Sequence, residues 1–191
     1  MTTSFLPPAG AIRLPAGPRP IQQVRSGVIG LVGTAPVHLI DGGAMHEPQL
    51  VLSDTDAAAK AGPDLDGFTI PASLRVIQDQ GGGAVILVNV FDPARHNQGV
   101  EGESVTLDAA GRATLAHAAH GVIEASVRSA DAVTTYEAGT DYTLDKATGR
   151  LVRVDGGAIA AGDTLSVDYT HADPSLVTAE DVAEIGRASC R

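Results

Sequence analysis

The sequence predicts a mixed α+β chain with two unlike parts: an N-terminal α/β sheet layer, followed by an all-β domain of sandwich or barrel type. Three observations carry this. The first ninety residues hold two apolar runs, Val28–Val32 and Val85–Val90, with helix-like segments between them. Composition then turns polar over Asp92–Gly102, DPARHNQGVEG. Beyond that point, short runs of alternating apolar and polar residues recur between turn residues.

The elements follow in order. Met1 to Ala16 is rich in Pro and Gly and does not form a helix. Ile12 and Leu14 alternate with Arg13, which suits an extended arm able to pair with a neighbour's sheet edge. Pro18 and Pro20 hold Gly17–Ile21 extended, and Ile21 to Arg25 is a short amphipathic run. Val28–Val32, bounded by Gly27 and Gly33, reads as a strand buried on both faces. Leu50–Leu52 is a short strand, after which Ser53 or Asp54 caps a helix ending at Gly62-Pro63. Thr69 caps a second helix with Pro71 in its first turn and Leu74 and Ile77 on its apolar face. Gly81–Gly83 ends that helix, and VILVNV at Val85–Val90 reads as a second, fully apolar strand.

In the second half, strands are expected at Val105–Leu107, Ala113–Leu115, Val122–Arg128, Val133–Tyr136, Asp141–Leu144, Arg150–Val154 and Thr164–Thr170. Gly139–Gly157 reads as a hairpin with a Gly-containing loop. Val177–Ile185 reads as a short acidic helix or return segment, with Thr178 and Asp181 as its N-terminal cap.

Composition excludes some functions. The 191-residue chain has a formal charge of −10 and no Trp, and only 3% of its residues are aromatic. An acidic chain offers no electrostatic footprint for direct nucleic-acid contact. No apolar run reaches the about 18 residues that membrane insertion needs. MTTSFLPPAG lacks the basic and apolar regions of a signal peptide. Cys190, the one cysteine, excludes an internal disulfide and fits a reducing cytoplasm. It sits in GRASCR, residues 186–191, which reads as a vector-derived tail on a fragment cut near Ile185.

No constellation of catalytic residues emerges. Gly27, Gly30 and Gly33 give G-x-x-G-x-x-G, but a loop follows where a dinucleotide fingerprint needs a helix. Close backbone packing in a sheet is the better reading. His117 and His120 have only Glu124 near them as a third metal ligand. The carboxylates sit in turns, where Asp is common for conformational reasons. The expectation is therefore no enzyme, no cofactor and no metal.

A resemblance adds to this. GPRPIQQVRSGVIGLVGTA at Gly17–Ala35, then Pro48–Val51, Asp56–Gly62, Thr69–Gln80 and Ala84–Val90, in that order, is similar to the start of the contractile-tail sheath proteins of bacteriophages, of the P2-like type. No single piece is a signature; the co-linear order of five pieces carries the likeness. It implies a subunit that polymerises around a tail tube and contracts to drive it through the host envelope, with no nucleotide consumed at the sheath. It implies other copies of itself, tail tube and baseplate proteins as partners, assembly in the host cytoplasm, and a place in the virion tail. It implies an extended arm at 1–24, a sheath core at 25–98, a β-rich decorating domain at 99–172 and a return segment at 173–185. The assembly residues it points to are Ile12, Leu14, Ile21, Val24, Arg25, Val28, Val32, Val85 and Val88. The family's further C-terminal core domain and arm have no match in this sequence. The alternatives are the sheath of a phage-like bacteriocin or other injection device, and a surface-binding β module using Tyr136, Tyr142 and Tyr169.

Overall fold

The computed structural model describes residues 27–41 and 43–188, and it is mixed α+β. Its described elements are nine strands in three three-stranded sheets, three α-helices and two 3-10 turns.

The first sheet has β1 (Ile29–Gly33), β2 (Gln49–Val51) and β3 (Val85–Asn89), in the order β1-β3-β2. β3 is central, parallel to β1 and antiparallel to β2. Between β2 and β3 lie α1 (Asp54–Ala61) and α2 (Ile70–Asp79). Ser53 caps α1 by accepting the Asp56 N–H, and Asp54 and Asp56 in its first turn suit the positive end of the helix dipole. Thr69 stands at the N-cap of α2, with Pro71 in the first turn, but makes no side-chain cap bond. Its Oγ1 instead accepts the Thr34 N–H at 3.0 Å, while the Thr69 N–H reaches Thr34 Oγ1 at 3.1 Å. The cap residue is thus diverted into tying the end of β1 to the start of α2.

Register decides the sheet's two faces. Ile29, Leu31, Val85, Leu87 and Val51 share one face, and Val85, Leu87 and Val51 pack with Ala61, Ile70 and Leu74 of the two helices. Val28, Val32, Ile86 and Leu50 take the other. The expected burial of Val28–Val32 on both faces is therefore corrected. Among the described residues β1 is an edge strand covered on one side only, and Val28 and Val32 are 60% and 51% exposed. The run at Val85–Val90 is also not fully apolar: Asn89 within it is 0% exposed and hydrogen-bonded.

The second part has β4 (Asn97–Thr106), β6 (Val122–Ser129) and β9 (Thr164–Ala172) in one antiparallel sheet, and β5 (Arg112–Thr114), β7 (Tyr142–Asp145) and β8 (Arg150–Arg153) in another. Leu165, Val167 and Tyr169 of β9 alternate inward as expected and share one core with Val105, Val127, Leu151 and Ile159. Two expectations fail here. The strand expected at Val105–Leu107 starts earlier, because β4 already pairs with β9 from Asn97, inside the polar segment, with an irregularity between Val100 and Glu103. Val133–Tyr136 makes only an isolated bridge, Arg128 to Thr135. α3 (Ala179–Ala188) closes the described chain.

The two cores meet at one seam. Neighbouring residues of β6 face opposite sides of the strand, and its pairing with β9 shifts register between Val122 and Glu124. Val122 enters the second core, while Ile123 packs against the first. Ala172, at the end of β9, is buried in the first core. The seam is further held by Asp181 of α3, which lies 3.1 Å from Arg95 and 3.5 Å from His96.

Candidate assembly surface

Among the described residues the outer edge of β1 is unpaired. Ile29 N–H bonds to the Ala84 carbonyl, and Val90 N–H to the Gly33 carbonyl, each near 3.0 Å. Residues 29, 31 and 33 therefore turn their polar groups toward β3, and the alternation of a parallel ladder turns those of Val28, Gly30 and Val32 away from it. Among the described residues β1 has no second neighbour. Its sequence, GVIGLVG over 27–33, carries no charge and no proline, the devices that ordinarily block strand addition.

The opposite edge is different. Lys60 of α1 donates to the Leu50 carbonyl, and the Leu52 N–H donates to Asp56 Oδ2 at 3.1 Å. Lys60 and Asp56 also pair at 3.6 Å. Helix side chains thus occupy main-chain groups along β2, and no such guard stands beside β1 among the described residues.

The face opposite the helices adds an apolar surface to that open edge. Val28, Val32, Ile86, Leu50 and Leu52 are all exposed, Leu52 to 66%. At the far end of this face Val88 and Val90 are buried.

The predicted assembly residues therefore separate. Val32 lies on β1 and Val28 directly precedes it, both exposed. Val85 and Val88 are buried, 1% and 8% exposed. Ile12, Leu14, Ile21, Val24 and Arg25 lie outside the described residues.

Geometry also bears on the other candidates. A Cβ on Gly33 would collide with Thr69 Oγ1, which fits the packing reading of that glycine, while Gly27 and Gly30 meet nothing. His117 stacks on His171 with centroids 5.9 Å apart, whereas His120 Nδ1 lies 2.8 Å from the Asp66 carbonyl. The two histidines have separate partners, and no group of three metal-binding side chains occurs among the described residues. Tyr142 and Tyr169 are buried, and Tyr169 donates to Glu103, so neither presents a ring as a platform. Burial, with the Glu103 carboxylate beside it, pushes the Tyr169 phenol up to about 12. Among the described residues no helix is long and apolar enough to cross a membrane.

Sequence reasoning missed the buried side chain of Asn89 and the half-buried ring of His38, whose nitrogens are both buried. Asn89 carries a signal, as the one polar residue in VILVNV. His38 carries none: its burial depends on Phe68, Phe91 and Gly121, which are distant in sequence.

An uncharged edge thus lies beside an apolar sheet face, and the chain is similar over nearly its whole length to a phage tail sheath protein. The relative is the tail sheath protein of Burkholderia phage BcepMu, 43% identical over 184 residues, which is 95% of this chain and 37% of that protein. The resemblance read from the five sequence blocks is thus borne out at the level of phage tail sheath proteins, without distinguishing the P2-like type among them. The chain spans little more than a third of the relative's length. No protein-family model and no solved structure matches it.

Proposed function

We propose that this chain is part of a structural subunit of a contractile tail sheath, which polymerises around a tail tube and contracts to drive it through the host envelope. The observation that carries the structural side of this reading is the contrast between the two edges of the first sheet. The β2 edge is occupied by Lys60 and Asp56, while β1 is uncharged, open on its outer side and flanked by exposed Val28 and Val32. A strand from another subunit added there would gain main-chain hydrogen bonds at Val28, Gly30 and Val32 and cover apolar surface. Contraction would then be a change between two packings of linked subunits, driven by the difference in their stability and needing no nucleotide. The partners are other copies of the subunit, the tail tube and the baseplate, with assembly in the host cytoplasm and a final place in the virion tail.

Electron microscopy of the full-length protein expressed alone tests the reading. Hollow tubes or stacked rings are the expected result. A dispersed monomer under all solution conditions would overturn it.

A further inference from the structure

His38 lies at the seam between the two cores, in the turn that follows β1. Both of its ring nitrogens are buried without a hydrogen-bond partner. Its ring centroid is 6.1 Å from that of Phe68 and 5.8 Å from that of Phe91. On its other side is Gly121, where a Cβ would come within 2.6 Å of His38 Nε2. A cavity of about 480 Å³ adjoins it, walled by Leu39, Ile40 and Pro63 on one side and by Leu144 and Lys146 of the β7–β8 turn on the other.

The other histidines at the seam have acceptors nearby. His96 Nδ1 accepts the Asp92 N–H at 2.9 Å, and its Nε2 lies 3.5 Å from Asp181. His120 faces the Asp66 carbonyl at 2.8 Å, and His171 the Ala172 carbonyl at 3.1 Å. A proton added to any of these meets an oxygen. A proton added to His38 meets two aromatic rings and the field of Lys146, and only the His120 main chain favours it. The carboxylates on the cavity are Asp41, on His38's own turn, and Asp145. Asp145 is already engaged by the Ala147 N–H and the Thr148 hydroxyl.

We propose that His38 is an acid-sensitive switch at this seam: protonating its imidazole forces the ring out of the aromatic contact and opens the junction between the 37–41 turn and the β7–β8 turn. An unpaired buried cation is far more costly than an unpaired buried neutral ring, and the turn can relieve that cost by swinging the imidazole toward the cavity and solvent. Burial holds the ring's pKa down to about 4, with Lys146 adding to the effect and the His120 main chain opposing it.

Hydrogen exchange of the 191-residue chain, corrected for intrinsic rates, tests this between about pH 7.5 and about pH 4.5. The expected result is a loss of protection of roughly tenfold or more in 37–41, 118–123 and 144–148, with β9 unchanged, and retention of that protection in His38→Phe. Opening of His38→Phe at the same pH as the parent, or no opening of the parent, would overturn the proposal. Should His38→Phe not fold, imidazole titration of the parent by NMR decides. A ring that gains its proton together with the loss of seam protection supports the switch. A ring that titrates near the usual value of about 6.5 while the seam stays protected contradicts it.

Discussion

The side-chain oxygen of Asn89 accepts the main-chain N–H of Ala35 at 2.9 Å, across 54 residues of sequence. The same oxygen accepts the Phe91 N–H at 3.0 Å, and the amide nitrogen donates to the Phe91 carbonyl at 3.0 Å. One buried amide thus satisfies three main-chain groups where β1 and β3 both end. Replacing it by Leu, of similar size, strands all three. Each buried unsatisfied group costs about 1–3 kcal/mol, so Asn89→Leu is expected to lose about 3 kcal/mol or more. Urea denaturation checks this, and a loss below about 1 kcal/mol would contradict the assignment.

Gly149 closes the β7–β8 turn at φ 66°, and a Cβ there would overlap the Cβ of Ala118. Left-handed strain and the collision act together, so Gly149→Ala is expected to cost about 2 kcal/mol or more. Gly139, at φ 85° with open space around it, pays only the conformational part. Gly139→Ala is expected to cost about 1 kcal/mol. Thermal denaturation of the pair separates strain from collision.

Asp181 accepts the Thr178 N–H and hydroxyl, both at 2.7 Å, and faces Arg95 and His96. Those hydrogen bonds hold its carboxyl down at about 2. A depressed folded pKa contributes stability above the ordinary carboxylate range and loses it as pH falls through the folded value. The docking of α3 is therefore expected to survive to about pH 3 and to fail below it. Asp181→Ala is expected to release α3 at neutral pH, seen as lost amide protection over 179–185 with the sheet of β4, β6 and β9 unchanged.

His38 has the opposite consequence at milder acidity. Its folded pKa lies below the unfolded value of 6.5, so the unfolded chain takes up the proton first and stability falls as pH drops from about 6.5 toward about 4. Allowing for partial solvent access, His38→Phe is expected to be more stable than the parent by about 1–2 kcal/mol near pH 4.5, with a smaller difference at pH about 7.5. Equal pH dependence of the two melting curves would contradict this.

Much of the fold was legible in local pattern. Period-2 alternation located β6, β8 and β9, and the pair Ser53 and Asp54 located the start of α1, with Ser53 the cap. Where the reading failed, a non-local partner had decided. The burial of an apolar strand depends on what covers its outer side, so GVIGLVG reads like a central strand although it lies at an edge among the described residues. β4 begins inside a polar segment because pairing with β9 outweighs composition there. Thr69 has the identity and place of a cap, yet its hydroxyl is taken by Thr34, 35 residues earlier. Of the candidate surface, Val32 was legible as a strand residue, and Val28 directly precedes the strand. That Val32 stands on an open edge, and that Val85 and Val88 do not, follows only from the strand order.

The account turns on β1 as the edge through which the subunit associates, and Val32→Lys tests it most directly. Val32 is 51% exposed on the bare face, so a lysine there should change the subunit's own stability by no more than about 0.5 kcal/mol. An edge lysine opposes strand addition. Electron microscopy of the full-length protein with and without this substitution is expected to show tubes or rings for the parent and dispersed, folded subunits for Val32→Lys. Assemblies of unchanged number and form from a folded Val32→Lys protein would contradict the account.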